Sequence, residues 1–104
     1  MSPKRNFPLR ETQKELLRVL RAGDPHFTNS PTGSVGALGY LGMSISDVMR
    51  LSPKKLKHLA RATVRESMMR MVERGIVEVV KVTERSVMYR LTVFGKTIAT
   101  GDKE

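Results

Sequence analysis

Cysteine is absent from the 104 residues, and three Phe with two Tyr are all the aromatics. Without cysteine there is no disulfide framework, no thiolate-ligated zinc, no iron–sulfur cluster and no thiol nucleophile. So few aromatics leave little with which to stack single-stranded bases. Long apolar runs are missing too, since none exceeds a few residues, and a membrane span is thereby excluded. The opening Met1, Ser2, Pro3, Lys4, Arg5 is basic and polar. It does not lead into the apolar stretch of a secretory signal, so the chain is expected to stay in the cytoplasm where it is made.

The marks of catalysis are equally sparse. His26 and His58 are the only histidines, no H-E-x-x-H run is present, and no serine sits in a G-x-S-x-G elbow. Gly95, Lys96, Thr97 resembles the end of a phosphate-binding loop, but position 90, where that loop needs glycine, is arginine. The overlapping G-x-x-G units from Gly33 to Gly42 hold Val35, Leu38, Tyr40 and Leu41 rather than the basic residues of an RNA-clamping loop. These patterns predict no enzyme, no metal and no cofactor, and nothing in them points to a small-molecule effector.

What is present is positive charge. Nineteen Lys and Arg against ten Asp and Glu give a net +9, enough on so small a body to attract polyanions whatever its fold. Nucleic acid is the first candidate partner. Residues 1–30 carry six basic against three acidic side chains, 31–75 eight against three, and 76–104 five against four. Within the middle third, Arg50, Lys54, Lys55, Lys57 and Arg61 follow one another with no acid between them.

A chain of this length with 39% hydrophobic residues fits one domain with a modest core. Thr12 to Glu15 forms a T-x-x-E capping box, and Leu16, Leu17, Val19 and Leu20 follow at helical spacing until Gly23, Asp24 and Pro25 stop the chain. This predicts a helix over about residues 13–22, preceded by a basic arm over 1–11. Residues 24–43 are rich in Gly, Ser, Thr and Pro, a glycine-bearing insert. Its second half, with Val35, Leu38, Tyr40 and Leu41, is expected to pack as a short helix or strand.

Ser44 and Asp47 cap a second predicted helix carrying Ile45, Val48, Met49 and Leu51, and Ser52 with Pro53 opens another. There Leu56, Leu59 and Ala60 fall on one side, with Lys54, Lys55 and Lys57 towards water. Thr63 to Glu66 repeats the capping box, marking a fresh helix from Val64 to Arg74. Its stripe of Val64, Met68, Met71 and Val72 lies within about 100° of arc. Gly75 stands where a left-handed cap belongs. Ile76–Val82 and Val87–Val93 then flank the polar Thr83, Glu84, Arg85, Ser86 as a β-hairpin. A short turn from Phe94 to Ala99 and a polar tail over 100–104 finish the chain.

The stretch from Thr63 through Glu73, Arg74, Gly75, Ile76 and Val77 to Leu91, Thr92, Gly95 and Lys96 resembles a winged helix-turn-helix domain. The likeness is to MarR-like and related microbial regulators, in which a recognition helix ends in a Glu-Arg-Gly-Ile junction and the wing closes with Leu-Thr-x-x-Gly-Lys. It spans about residues 44–99 and implies a mainly helical α+β fold over residues 12–99, three to five helices plus a hairpin wing. Only Arg61 and Ala62 separate the Pro53 helix from the Thr63 box. Either the turn is compressed, or the Ser44–Leu51 helix is the positioning helix and residues 53–74 form one kinked element. The insert has no counterpart in that family pattern.

The resemblance places the helix beginning at Thr63 in a DNA major groove. Arg65 and Arg70 then suit a guanine edge, Thr63 and Ser67 suit phosphates or base edges, and Arg61 and Glu66 complete the expected DNA-binding set. Lys54, Lys55 and Lys57 would neutralise phosphates, and Arg85 at the hairpin tip would reach a minor groove or phosphate. The expected function is sequence-specific binding of double-stranded DNA by a nucleoid-associated homodimer, a transcriptional regulator or a replication or segregation factor. The candidate dimer surface is the first helix and the Val35–Leu41 insert, with packing of both inside one subunit as the equal alternative. The alternatives are an RNA-binding or ribosome-associated winged-helix protein, and a protein-interaction module whose charge is incidental.

Overall fold

In a computed structural model of the chain, residues 9–101 are described. Lys4 and Arg5 of the expected basic arm lie outside them.

Helix α1 (Glu11–Gly23) buries the expected Leu16, Leu17, Val19 and Leu20, but Thr12 does not cap it. The Arg10 N–H donates to Gln13 Oε1 at 3.1 Å, so helical structure begins at Glu11 and Thr12 lies inside the first turn. Glu15, the other half of the expected box, is turned inward to Arg18 and Ser52. Two stronger partners win it from the helix end. Leu9, within the stretch expected as an arm, packs against the core.

The insert is neither loose nor helical. After a turn in which the Asp24 carboxylate accepts the His26 N–H at 2.8 Å, β1 (Ser34–Gly36) and β2 (Gly39–Gly42) pair as an antiparallel hairpin with Val35 opposite Tyr40. The Tyr40 hydroxyl donates to the Thr32 carbonyl at 2.6 Å. Gly42, at φ +112°, brings the chain so close to the Tyr89 carbonyl that any Cβ would collide with it. Met43 and Tyr89 then exchange backbone hydrogen bonds as an isolated antiparallel bridge.

Helix α2 (Ile45–Leu51) starts as its sequence predicts. Ser44 Oγ accepts the Asp47 N–H at 3.1 Å, and Asp47 returns a carboxylate to the Ser44 N–H at 3.2 Å. Helix α3 (Pro53–Leu56) is a single turn that drives Leu56 into the core, while Ala60, expected beside it, is exposed. The chain then leaves helical structure, and Ala60 takes an extended conformation (φ −69°, ψ 149°) as the N-cap of α4 (Arg61–Glu73).

Residues 53–74 are therefore two elements and not one kinked helix, with a link of four residues, 57–60. Thr63 is the third residue of α4, its N–H bonded to the Ala60 carbonyl at 3.0 Å, so it is not the cap its T-x-x-E context predicts. The helical conformation has already begun at Arg61, and a box read from residue types cannot detect that.

The expected stripe of α4 is in place, with Val64, Met68 and Met71 fully buried. Gly75, at φ +78°, takes the left-handed conformation that ends the helix. Strands β3 (Val77–Lys81) and β4 (Val87–Leu91) form the expected hairpin, Val77 opposite Leu91 and Lys81 opposite Val87. A Val82 N–H to Ser86 carbonyl bond of 2.8 Å closes its turn.

The C-terminal segment is a helix, α5 (Val93–Gly101), rather than a short turn, and residues 100 and 101 belong to it. Thr92 explains the difference, because its Oγ1 accepts the Gly95 N–H at 2.9 Å while its hydroxyl reaches the Gly75 carbonyl. Ala99 is buried and Ile98 packs against the core. The described residues thus make an α+β domain of five helices and two small antiparallel hairpins. No helix among them is long and apolar enough to cross a membrane.

Candidate nucleic-acid interface

Because α4 commits Val64, Met68 and Met71 to the core, the 3.6-residue period turns Thr63, Glu66, Arg70 and Glu73 to the opposite side, where all four are exposed. Met69, which carried no site role in the sequence reading, belongs to this outer face and is 40% exposed. Only its place in the helical period marks it. Arg65 and half-buried Ser67 lie on opposite flanks.

Arg61 and Arg65, one turn apart, line a shallow cleft with Ala62 and Ile45, where the starts of α2 and α4 meet. Arg61 Nη1 donates to Ser46 Oγ at 2.6 Å, which fixes the guanidinium across the junction. Two arginines are thus gathered at the beginning of α4, while Arg70 stands farther along between two carboxylate-bearing positions, Glu66 and Glu73.

Lys54, Lys55 and Lys57 are exposed on α3 and the turn after it, as the apolar pattern predicts. The stretch that is free of acid in sequence is not free of it in space. Lys54 and Lys55 share a cleft of about 340 Å³ with Glu11, Glu15 and His58. Within it Glu15 is buried, accepting from Arg18 Nη2 at 2.5 Å and from the Ser52 hydroxyl. The Arg18 hydrogen bond holds the Glu15 carboxyl below its usual range, burial opposes this, and the Ser52 hydroxyl and the Lys55 charge assist. Glu15 thereby ties α1 to the base of α3 and steadies the segment that bears the lysines.

Burial works against the Asp47 carboxylate, but the Ser44 backbone N–H, Arg50 and the Ser44 hydroxyl outweigh it and keep its pKa low. Arg50 is spent in this ion pair at 2.9 Å. Arg85 is exposed in the β3–β4 turn, its N–H held by Thr83 Oγ1 at 3.2 Å, and Lys81 is exposed at the base of the same turn.

Arg90, by contrast, is structural. Its Nε donates to Glu78 at 2.7 Å and its Nη1 to the Tyr40 carbonyl at 2.6 Å, joining the two hairpins. Burial, together with the negative charges of Asp24 and Asp47, pushes the Tyr40 hydroxyl up to about 12, so it stays protonated as the donor to Thr32.

No group of three or more His, Asp or Glu side chains among the described residues is placed to hold a metal ion. The arrangement can present arginines and mixed polar groups on one helix, with exposed lysines on α3 and the turn after it and with Lys81, Glu84 and Arg85 at the β3–β4 turn. Comparison with protein-family models, with curated proteins and with solved structures finds no match to this chain.

Proposed function

We propose that this protein is a winged-helix binder of double-stranded DNA, with α4 as the recognition helix and the β3–β4 hairpin as the wing. The observation that carries the reading is α4 itself: one face locked into the core by Val64, Met68 and Met71, the other presenting Thr63, Glu66, Met69 and Arg70, with a β-hairpin directly after it whose turn bears Arg85. The Met43–Tyr89 bridge adds support. It pairs an extended residue between α1 and α2 with β4, one strand of the proposed wing.

The major groove admits an α-helix. Inside it Arg70 reads a guanine edge, and the Glu66 carboxylate accepts only from a base-edge donor such as the cytosine amino group. Arg61 and Arg65, gathered at the helix start, meet the groove edge, where Arg65 reaches a guanine or a phosphate. Thr63 and Ser67 contact phosphates or base edges. Lys54, Lys55 and Lys57 neutralise the backbone, and Arg85 reaches the flanking groove or phosphate. Binding is as a homodimer on a two-fold site, in the service of transcriptional control, replication or segregation.

The test is selection of bound duplexes from a random pool. A recurring motif with two inverted halves is the expected result. Enrichment of no motif removes the reading role of α4, and preferential retention of structured RNA in a parallel pool replaces DNA with RNA as the ligand.

A further inference from the structure

At 3.6 residues per turn Ala62, Glu66, Met69 and Glu73 fall within about 60° of arc, on the side of α4 opposite Val64, Met68 and Met71, and all four are exposed. This outermost line carries two carboxylates and two apolar groups, and no base. The cations stand beside it, Arg65 along one border and Arg70 along the other. A recognition helix with such a face reaches guanine edges and phosphates with its bordering arginines, while its central line comes against base edges on the groove floor. Glu66 and Glu73 have strong acceptors to offer there. Met69 has only a thioether.

A single exposed methionine is ordinary on a protein surface and needs no function while it faces water. Pressed against base edges it becomes selective. Laid over a carbonyl oxygen, a ring nitrogen or an amino group, its apolar end takes water from a polar group and returns no comparable hydrogen bond, which is unfavourable. The base edges of the major groove carry one apolar feature, the 5-methyl group of a pyrimidine. Over that group the same side chain gains by removing apolar surface from water, and its unbranched, polarisable chain adjusts to where the methyl lies.

We propose that Met69 is a specificity-determining residue whose side chain packs on a pyrimidine 5-methyl group in the major groove. This role rests on the reading of α4 as a recognition helix and adds to its specificity. Side chains on a helix lean towards its N-terminus, so Met69 covers the turn that bears Arg65 and Glu66. The methyl group it meets therefore lies on or beside the base pair that Glu66 contacts through a cytosine amino group. In unmodified DNA this is a thymine next to a C·G pair. In methylated DNA it is the cytosine itself, as 5-methylcytosine.

The experiment takes the duplex enriched from the random pool and measures its equilibrium affinity for the full chain, wild type and Met69→Ala, with thermal unfolding to establish that the variant is folded. Each thymine is replaced in turn by uracil, which removes only the methyl group, and each cytosine by 5-methylcytosine, which adds one. The expected result is a loss of about fourfold for the wild type at one thymine of each half-site, the worth of one buried methyl-sized group. Met69→Ala should bind the thymine and uracil duplexes alike. A gain for the wild type with 5-methylcytosine, absent in Met69→Ala and with no effect of uracil, keeps the proposal and assigns the methyl group to cytosine. Methyl groups that matter equally to both proteins, or to neither, overturn the role of Met69 and leave α4 as the reading helix. A pool that enriches no motif overturns both.

Discussion

Met43 and Tyr89 exchange both of their backbone hydrogen bonds, at 2.9 and 2.8 Å, and so join the end of the insert to the middle of the C-terminal hairpin. Close approach at this junction depends on Gly42, which has both the positive φ and the bare Cα that the Tyr89 carbonyl requires. Gly42→Ala should therefore destabilise the fold by about 1–3 kcal/mol, read as a lower denaturant midpoint. An unchanged midpoint would mean that the two hairpins are not joined there.

Acid should weaken the fold through Glu15. Its carboxyl is held below the ordinary value of 4.5, first by the Arg18 hydrogen bond and then, against burial, by Ser52. The folded form thus binds this proton less readily than the unfolded chain. The resulting stability is complete above about pH 4.5 and is lost as pH falls through the lower folded value. Asp47 acts with the same sign. Melting curves across that window should show Glu15→Gln flattening the acid limb, and a Glu15→Gln curve parallel to wild type would refute the assignment.

Two hydroxyl deletions separate a real helix cap from an apparent one. Ser44→Ala removes the acceptor of the Asp47 N–H and should cost about 1 kcal/mol. Thr63→Ala touches an exposed side chain within α4 and should stay within about 0.5 kcal/mol of wild type. For comparison, Met68→Ala or Met71→Ala should cost about 2–5 kcal/mol, because both side chains are fully buried. Thermal unfolding of the four variants decides among these, and a large loss for Thr63→Ala would restore it as the cap.

Reading and positioning should separate in binding. Arg65→Ala and Arg70→Ala are expected to lose about 1–3 kcal/mol on a selected duplex and less on a scrambled one. Lys57→Ala should weaken both duplexes equally and reduce the salt slope by about one. Lys54→Ala and Lys55→Ala should have smaller effects than Lys57→Ala, since Glu11 and Glu15 already share their cleft. Equal losses on both duplexes for the arginine variants would remove base reading by α4.

Strong periodicity made much of this fold legible from sequence. The α4 stripe, the Ser44 box, Gly75 and the two β-branched runs each specify local structure, and each lies where the pattern puts it. Misplaced helix starts came from Thr12 and Thr63, because a capping box is a matter of residue types whereas a cap is a matter of backbone conformation. The insert was legible only as a short helix or strand, because a three-residue strand has too little pattern to separate the two and its junction with β4 rests on Met43 meeting a residue far along the chain. Within the candidate site, helical spacing alone separated the outward residues of α4 from its core. The Arg61–Ser46 hydrogen bond between the starts of α4 and α2, and the acids beside Lys54 and Lys55, are tertiary facts that no local pattern carries.

The most direct test of duplex binding is an equilibrium titration of the wild type against duplex DNA and structured RNA of equal length, across about 50 to 300 mM salt. The account predicts tighter binding to the duplex and a log-log salt slope of about −4 to −7, as expected when a dimer neutralises about five to eight phosphates. A slope near zero, or tighter binding to the RNA throughout the series, would contradict it.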